Sequence, residues 1–108
     1  MTESRVATEA AVPPGSLLRV DVDGVGVCVA RTEVGEWFAV SDTCSHEEYS
    51  LSEGDLFGRD VECPMHGSRF DLATGMPDQL PATVPIRTYP ITVRDGEVYV
   101  NTEKEGDR

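Results

Sequence analysis

Two cysteine–histidine pairs stand in the middle of this 108-residue chain, and both of its histidines belong to them. Cys44 and His46 are separated by one residue, and Cys63 and His66 are separated by two. Thiolate sulfur and imidazole nitrogen are the side-chain atoms that bind zinc and iron. Each pair lies among turn-forming residues, which lets two side chains from one short loop converge on a point. The pattern C-x-H-x16-C-x2-H therefore predicts a metal site with four ligands.

Three interpretations of the pattern differ in what the four side chains bind. The first is chance, because a buried thiol is common and a single histidine is usually not a ligand. The second is a structural zinc ion, which needs only four nitrogen and sulfur ligands in a tetrahedron. The third is a [2Fe–2S] cluster with two cysteines on one iron and two histidines on the other. The doubled pairing argues against chance and leaves zinc and the cluster open.

The charge of the chain restricts its partners. Twenty acidic residues against nine basic ones give a formal net charge of −11 at pH 7. This charge argues against nucleic acid and against an anionic membrane, because both carry the same sign. It favours a basic patch on another protein, with an association that weakens as the salt concentration rises. An acidic surface that only keeps the protein in solution is the alternative.

The N-terminal stretch has no apolar core typical of a secretory signal, and no run in the sequence is long enough to span a bilayer. We therefore expect a cytoplasmic protein. In that reducing compartment, three cysteines favour a metal site over a framework of disulfides. The third cysteine, Cys28, lies in a strand-like segment and is expected to be a core residue.

Short strand-like segments predict an all-β fold in a single domain, residues 1–108. They cover residues 17–22, 25–31, 36–40, 86–94 and 97–101. Asp23-Gly24 and Asp95-Gly96 separate the members of two predicted hairpins, since Asp-Gly is a preferred two-residue turn. Between the hairpins lies an irregular segment, about 42–85, that holds all four candidate ligands. The charged residues 102–108 are expected to form a flexible tail.

The ligand pattern, followed by Gly67 and Ser68, resembles the Rieske iron–sulfur family. The run HEEYSLSEGDLFGRDVECPMHGSRFDLATG is similar throughout to the soluble Rieske ferredoxins of bacterial multicomponent oxygenases. The resemblance implies one [2Fe–2S] cluster on an antiparallel β base. A cluster-binding lobe, about residues 43–71, would be inserted into that base.

The resemblance also assigns a role to each predicted ligand. It implies that Cys44 and Cys63 bind the inner iron as thiolates. It implies that His46 and His66 bind the outer iron through one ring nitrogen, with the other nitrogen facing solvent.

The function implied is that of a soluble one-electron carrier between a flavoprotein ferredoxin reductase and a terminal non-haem iron oxygenase or a similar acceptor. The chain is not expected to be an enzyme, because the cluster uses both histidines and leaves none for a catalytic iron. We expect a monomer. Alternatives are a Rieske ferredoxin of iron–sulfur assembly or of a nitrite-reductase-like system, and a Cys2His2 zinc-stabilised β interaction module.

Three residues predict a reduction potential near the lower Rieske limit, roughly −150 mV. High-potential members of the family carry a disulfide between two loop cysteines, and Tyr49 and Met65 stand at those positions here. The same members carry a tyrosine whose hydroxyl donates a hydrogen bond to the cluster, and Phe70 stands in its place. Loss of that donor stabilises the reduced cluster less and lowers the potential.

Overall fold

The computed structural model describes residues 3–43, 50–64, 68–77 and 85–102, which form ten strands and two short 3-10 turns. The strands are β1 (Ser4–Thr8), β2 (Ser16–Val22), β3 (Val25–Arg31), β4 (Trp37–Ser41), β5 (Asp55–Phe57), β6 (Asp60–Glu62), β7 (Arg69–Asp71), β8 (Thr88–Tyr89), β9 (Ile91–Arg94) and β10 (Glu97–Val100). The 3-10 turns are Glu9–Ala11 and Leu51–Glu53. Across these ranges no helix is long and apolar enough to cross a bilayer.

The strands pair into three antiparallel sheets, which confirms the predicted fold class. An outer sheet has the order β1-β10-β9, and a central sheet has the order β2-β3-β4-β8. The third sheet, β5-β6-β7, lies in sequence between β4 and β8. The β1–β10 pairing joins both ends of the chain in one sheet, as the family resemblance implied.

Both predicted Asp-Gly hairpin turns are present. Asp23 and Gly24 have φ angles of 49° and 84°, and Asp95 and Gly96 have φ angles of 54° and 77°. Two successive residues with positive φ are characteristic of a type I′ turn, whose twist matches that of the flanking strands. These turns fix the register of β2 on β3 and of β9 on β10.

The predicted strand 86–94 is wrong as a single element, because Pro90 divides it. Strand β8 ends at Tyr89 and pairs with β4, whereas β9 begins at Ile91 and pairs with β10. Proline has no N–H to donate to a strand ladder, so the chain changes sheets there. The Pro90 carbonyl still accepts a hydrogen bond from the Asn101 N–H at 3.1 Å.

The central sheet is buried on both faces. Cys28 and Ala30 of β3 pack into a core shared with the β5-β6-β7 sheet. Val27 and Val29 alternate with them and pack into a second core shared with the outer sheet. Side chains on a strand alternate between the two faces of a sheet, so one strand supplies both cores. The prediction that Cys28 is a core residue is confirmed.

The segment 42–85, which the sequence suggested to be irregular, contains strands β5, β6 and β7. Each is only three residues long, too short for alternation to reveal it. Val61 and Phe70 face the core, and their neighbours along the strands are partly exposed. Packing of Val61 and Phe70 into this core holds the small sheet against the central sheet.

We predict that Gly54→Ala destabilises the fold, because a Cβ atom there would lie 1.8 Å from the Glu62 carbonyl oxygen. The backbone must move, at a cost of about 1–3 kcal/mol in free energy of unfolding. Gly26→Ala is the matched control, since its nearest neighbour is the flexible end of Arg19, at 3.2 Å. Thermal unfolding measures both variants. Equal melting temperatures for the two would contradict the close approach at Gly54.

Candidate metal centre

The structure describes one of the four predicted ligands. Cys63 follows strand β6 and is 2% exposed. Cys44, His46 and His66 lie outside the described residues. In the described ranges, no three His, Cys, Asp or Glu side chains are grouped so that they could hold a metal ion. The four-ligand assignment stays a prediction, and the geometry bears on it through the residues that begin and end the two loops.

The first ligand-bearing segment starts and ends at two bridged residues. Thr43 and Ser50 form an isolated antiparallel β-bridge. Next to it, the Asp42 carboxylate accepts hydrogen bonds from the Ser50 hydroxyl and from the Ser52 backbone N–H, the latter at 2.9 Å. The two ends of segment 44–49 are therefore held together where strand β4 has just ended.

The second ligand-bearing loop connects β6 to β7. The Cys63 N–H donates to the Ser68 carbonyl at 2.7 Å, and the register pairs Glu62 with Arg69. The Arg69 Nε lies 3.3 Å from a Glu62 carboxylate oxygen, which adds a cross-strand ion pair. Cys63 and Ser68 are both buried at the closed end of this loop. The loop thus leaves and re-enters the sheet at adjacent points.

The residues that flank the two loops share one hydrophobic core. Leu51 follows the first loop, and Cys63 and Phe70 flank the second. These three buried residues belong to the same cluster as Cys28 of β3 and Val40 of β4. The core therefore fixes the bases of the two loops relative to each other and to the central sheet.

The surroundings of Cys63 fit a metal-bound thiolate. The thiolate is the form that binds metal, and a negative charge in an apolar core costs free energy unless a cation compensates it. A cluster bound there would supply that compensation. Cys28, in the same core, behaves differently: burial and then the nearby Asp42 carboxylate raise the pKa of its thiol. Cys28 therefore stays a neutral thiol in the strand ladder.

Comparison with known proteins identifies the family. The sequence model of the Rieske [2Fe–2S] domain matches residues 2–90. The chain belongs to the Rieske [2Fe–2S] family. Ferredoxin CarAc of Metapseudomonas resinovorans is 40% identical over 101 residues, which are 94% of each chain. A ferredoxin in a solved complex of reduced oxygenase and oxidized ferredoxin of carbazole 1,9a-dioxygenase is 40% identical, with a TM-score of 0.89 and 97% of each chain covered.

The family assignment settles the open alternatives for the cofactor. This Rieske protein carries a [2Fe–2S] cluster, and the zinc-stabilised module is not supported. Its similarity to proteins named as ferredoxins agrees with the prediction of an electron carrier without a substrate site. A solved protein from Mycobacterium tuberculosis, described as a nitrite reductase small subunit, is 23% identical with a TM-score of 0.82 over 92% of this chain and 93% of its own. That likeness shows the fold alone.

Asp42 is the site residue that the sequence did not single out. In the sequence it is one of twenty acidic residues, in the run Val40-Ser41-Asp42-Thr43. In the structure its side chain is buried, and its hydrogen-bond partners lie eight and ten positions further along the chain. A signal was available in Ser50 and Ser52, which are short donors at the far end of the same loop.

Phe70 stands at the position where the family resemblance implies a hydrogen-bond donor in high-potential members. It is fully buried in the core that contains Cys63. Strand β7 pairs it with Val61, and its ring packs in a cluster of buried apolar side chains that includes Leu51, Val61 and Leu72. The site therefore has no tyrosine hydroxyl at this position to stabilise negative charge on the cluster sulfur. The low reduction potential inferred from the sequence stays a prediction.

We predict that Phe70→Tyr raises the reduction potential by roughly 60 mV, which is about a tenfold change in a one-electron reduction equilibrium. The new hydroxyl can donate to a cluster sulfur that gains negative charge on reduction. Phe57→Tyr is the matched control, since Phe57 is 42% exposed on strand β5. Potentiometric titration measures both. An unchanged potential in Phe70→Tyr, with a loss of stability from the buried hydroxyl, would contradict the prediction.

Proposed function

We propose that this protein accepts single electrons from a flavoprotein ferredoxin reductase and delivers them to a terminal non-haem iron oxygenase. The supporting observation is the end-to-end similarity to the ferredoxin solved with a reduced oxygenase, which covers 97% of each chain. That similarity extends over almost the full length of both chains, at 40% identity and a TM-score of 0.89. The acceptor proposed here is an oxygenase of the same general type, whose substrate stays unspecified.

The proposal includes the ligand assignment. Cys44 and Cys63 are proposed to bind the inner iron, and His46 and His66 the outer iron. The bound cluster supplies a one-electron couple. The protein's own part is to hold the two loops at a fixed separation, to bury the cysteine side of the site, and to exclude water from it. The buried position of Cys63 and the closed ends of both loops support this assignment.

The proposal also divides the chain into parts. We propose one domain, residues 1–108, with a cluster-binding lobe of about 43–71 and a flexible tail of 102–108. The pairing of β1 with β10 and the insertion of β5-β6-β7 between β4 and β8 support this division. A monomeric, cytoplasmic protein is part of the same proposal. Neither Cys28 nor Cys63 forms a disulfide within the described residues, which suits a reducing compartment.

The pairing of the arginines with carboxylates supports docking of this acidic protein onto a basic surface of its partner. Of the seven arginines in the described ranges, six lie within 4.0 Å of a carboxylate: Arg5, Arg19, Arg31, Arg59, Arg69 and Arg94. The seventh, Arg87, lies over the Tyr89 ring at 5.8 Å. Because the positive charges are engaged, the remaining acidic side chains dominate the electrostatic field that an approaching protein meets.

We predict that Cys63→Ala and His66→Ala abolish the Rieske cluster, whereas Cys28→Ala retains it. The matched control removes a buried cysteine from the same core. Each protein is reduced with dithionite and measured by electron paramagnetic resonance, with iron, sulfide and zinc assayed on the same sample. A rhombic signal with two irons per chain is expected for the wild type and for Cys28→Ala. A silent wild-type protein with one zinc per chain would overturn the proposed function.

We predict that exposed acids beside the first loop accelerate electron transfer to a basic acceptor. The double variant Glu53→Gln, Asp55→Asn should reduce cytochrome c more slowly than the wild type, with NADH and a flavoprotein reductase as the electron source. Glu33→Gln, at the opposite end of the central sheet, is the control. The wild-type rate should fall as ionic strength rises from about 0.01 M to 1 M, since the screening length shrinks from about 30 to 3 Å. Rates independent of salt would contradict electrostatic docking.

A further inference from the structure

Asp42 is a buried carboxylate at the junction between the base and the first ligand loop. Only 3% of its side chain is exposed. A carboxylate withdrawn from water is costly unless hydrogen bonds or a cation compensate it. Its Oδ1 accepts from the Ser52 backbone N–H at 2.9 Å, and its Oδ2 accepts from the Ser50 hydroxyl. Both donors follow segment 44–49, whereas Asp42 precedes it. The buried charge is therefore compensated by residues at the other end of that segment.

The backbone of Asp42 makes two further connections in the same place. Its N–H donates to the Gly26 carbonyl of β3 at 3.0 Å. Its carbonyl accepts from the Leu51 N–H at 2.6 Å. The residue therefore joins the central sheet to both ends of segment 43–50. A charge-assisted hydrogen bond is shorter and stronger than a neutral one, which suits a carboxylate at this position better than an amide.

Arg19 is a minor partner of this carboxylate. Its Nη1 lies 3.7 Å from Oδ2, and its Nη2 lies 3.1 Å from Asp21. A hydrogen bond from the guanidinium to Asp21 is the main cause of the raised pKa of Arg19, and the Asp42 charge contributes less. The Arg19 side chain is 54% exposed, so solvent screens its attraction for Asp42. The hydrogen bonds from Ser50 and Ser52 therefore carry most of the compensation.

We propose that Asp42 is a positioning residue that holds the first ligand loop in the geometry needed to bind the cluster. The inference rests on the proposed function, because it takes Cys44 and His46 as ligands. With the carboxylate present, the loop ends are fixed before the cluster binds, and binding does not have to order them. Without it, the Ser52 N–H and the Ser50 hydroxyl lose their acceptor, and ordering the loop reduces the affinity for the cluster.

The experiment compares Asp42→Ala with Val12→Ala as holoproteins. Val12 is fully buried in the second core, on the other face of the central sheet, so its truncation lowers stability away from the loops. We expect Asp42→Ala to lose its cluster to an iron chelator roughly 10- to 100-fold faster than the wild type. Its reduced protein should also show shifted g values in electron paramagnetic resonance. Val12→Ala should melt at a lower temperature with wild-type g values and a rate of cluster loss within about twofold of the wild type.

Three smaller changes separate positioning from general stability. Asp42→Asn keeps an oxygen acceptor for the Ser52 N–H but loses the charge and the second oxygen, so it should restore the wild-type rate of cluster loss only in part. Arg19→Ala should leave that rate unchanged. Ser50→Ala removes one hydrogen bond and keeps the carboxylate, so it should give an intermediate rate and serves as the test if Asp42→Ala does not fold.

The outcomes distinguish this inference from the proposed function. Wild-type g values and an unchanged rate of cluster loss in Asp42→Ala, or in Ser50→Ala if Asp42→Ala fails to fold, would overturn the positioning role. The proposed electron-carrier function would be unaffected, because it is tested by the electron paramagnetic resonance spectrum of the wild type. A wild-type protein without the rhombic signal would overturn the proposed function and this inference together. Faster cluster loss in Asp42→Ala, with partial restoration of the wild-type rate in Asp42→Asn, would support both the positioning role and the proposed function.

Discussion

Strand β3 supplies side chains to two separate cores, and the rest of the fold depends on this double burial. Cys28 and Ala30 face the β5-β6-β7 sheet, and Val27 and Val29 face the outer sheet. Each fully buried valine side chain contributes on the order of 1.5–3 kcal/mol from removal of apolar surface from water. A three-stranded sheet of three-residue strands has too few contacts to be stable alone, so β5-β6-β7 exists because the central sheet offers it an apolar face.

The predicted ligand Cys63 lies in the apolar core between these layers. The bases of the two loops are fixed by the hydrogen bonds of Asp42, which follows β4, and by the Cys63–Ser68 hydrogen bond between β6 and β7. The carboxylate of Asp42 is a buried polar group at the start of the first loop. A buried charge must be compensated locally, and two serines at the end of the loop do so here. The same contacts that satisfy the charge also define where the loop begins and ends.

The features that could be predicted from the sequence are those determined by contacts between residues close together in the chain. The Asp-Gly hairpins were predicted because the residues of a two-residue turn and of its flanking strands lie close together in the sequence. Strands β5 to β7 were missed because three residues carry no measurable period, and the division at Pro90 was missed because alternation continues across it. The doubled Cys/His pattern predicted a four-ligand site through its chemistry, and three of those ligands lie outside the described residues. The role of Asp42 depends on donors across a loop, which no local pattern encodes.

The outer sheet has a consequence for the order of folding events. Ser4 pairs with Val100, so the β1–β10 pairing joins residues far apart in sequence, and such non-local pairing is slow compared with closure of the β2–β3 hairpin. The core behind that sheet contains no residue of β5, β6 or β7. Unfolding of β5, β6 and β7 therefore does not require β1 to separate from β10, and the slow pairing need not be repeated when these three strands refold.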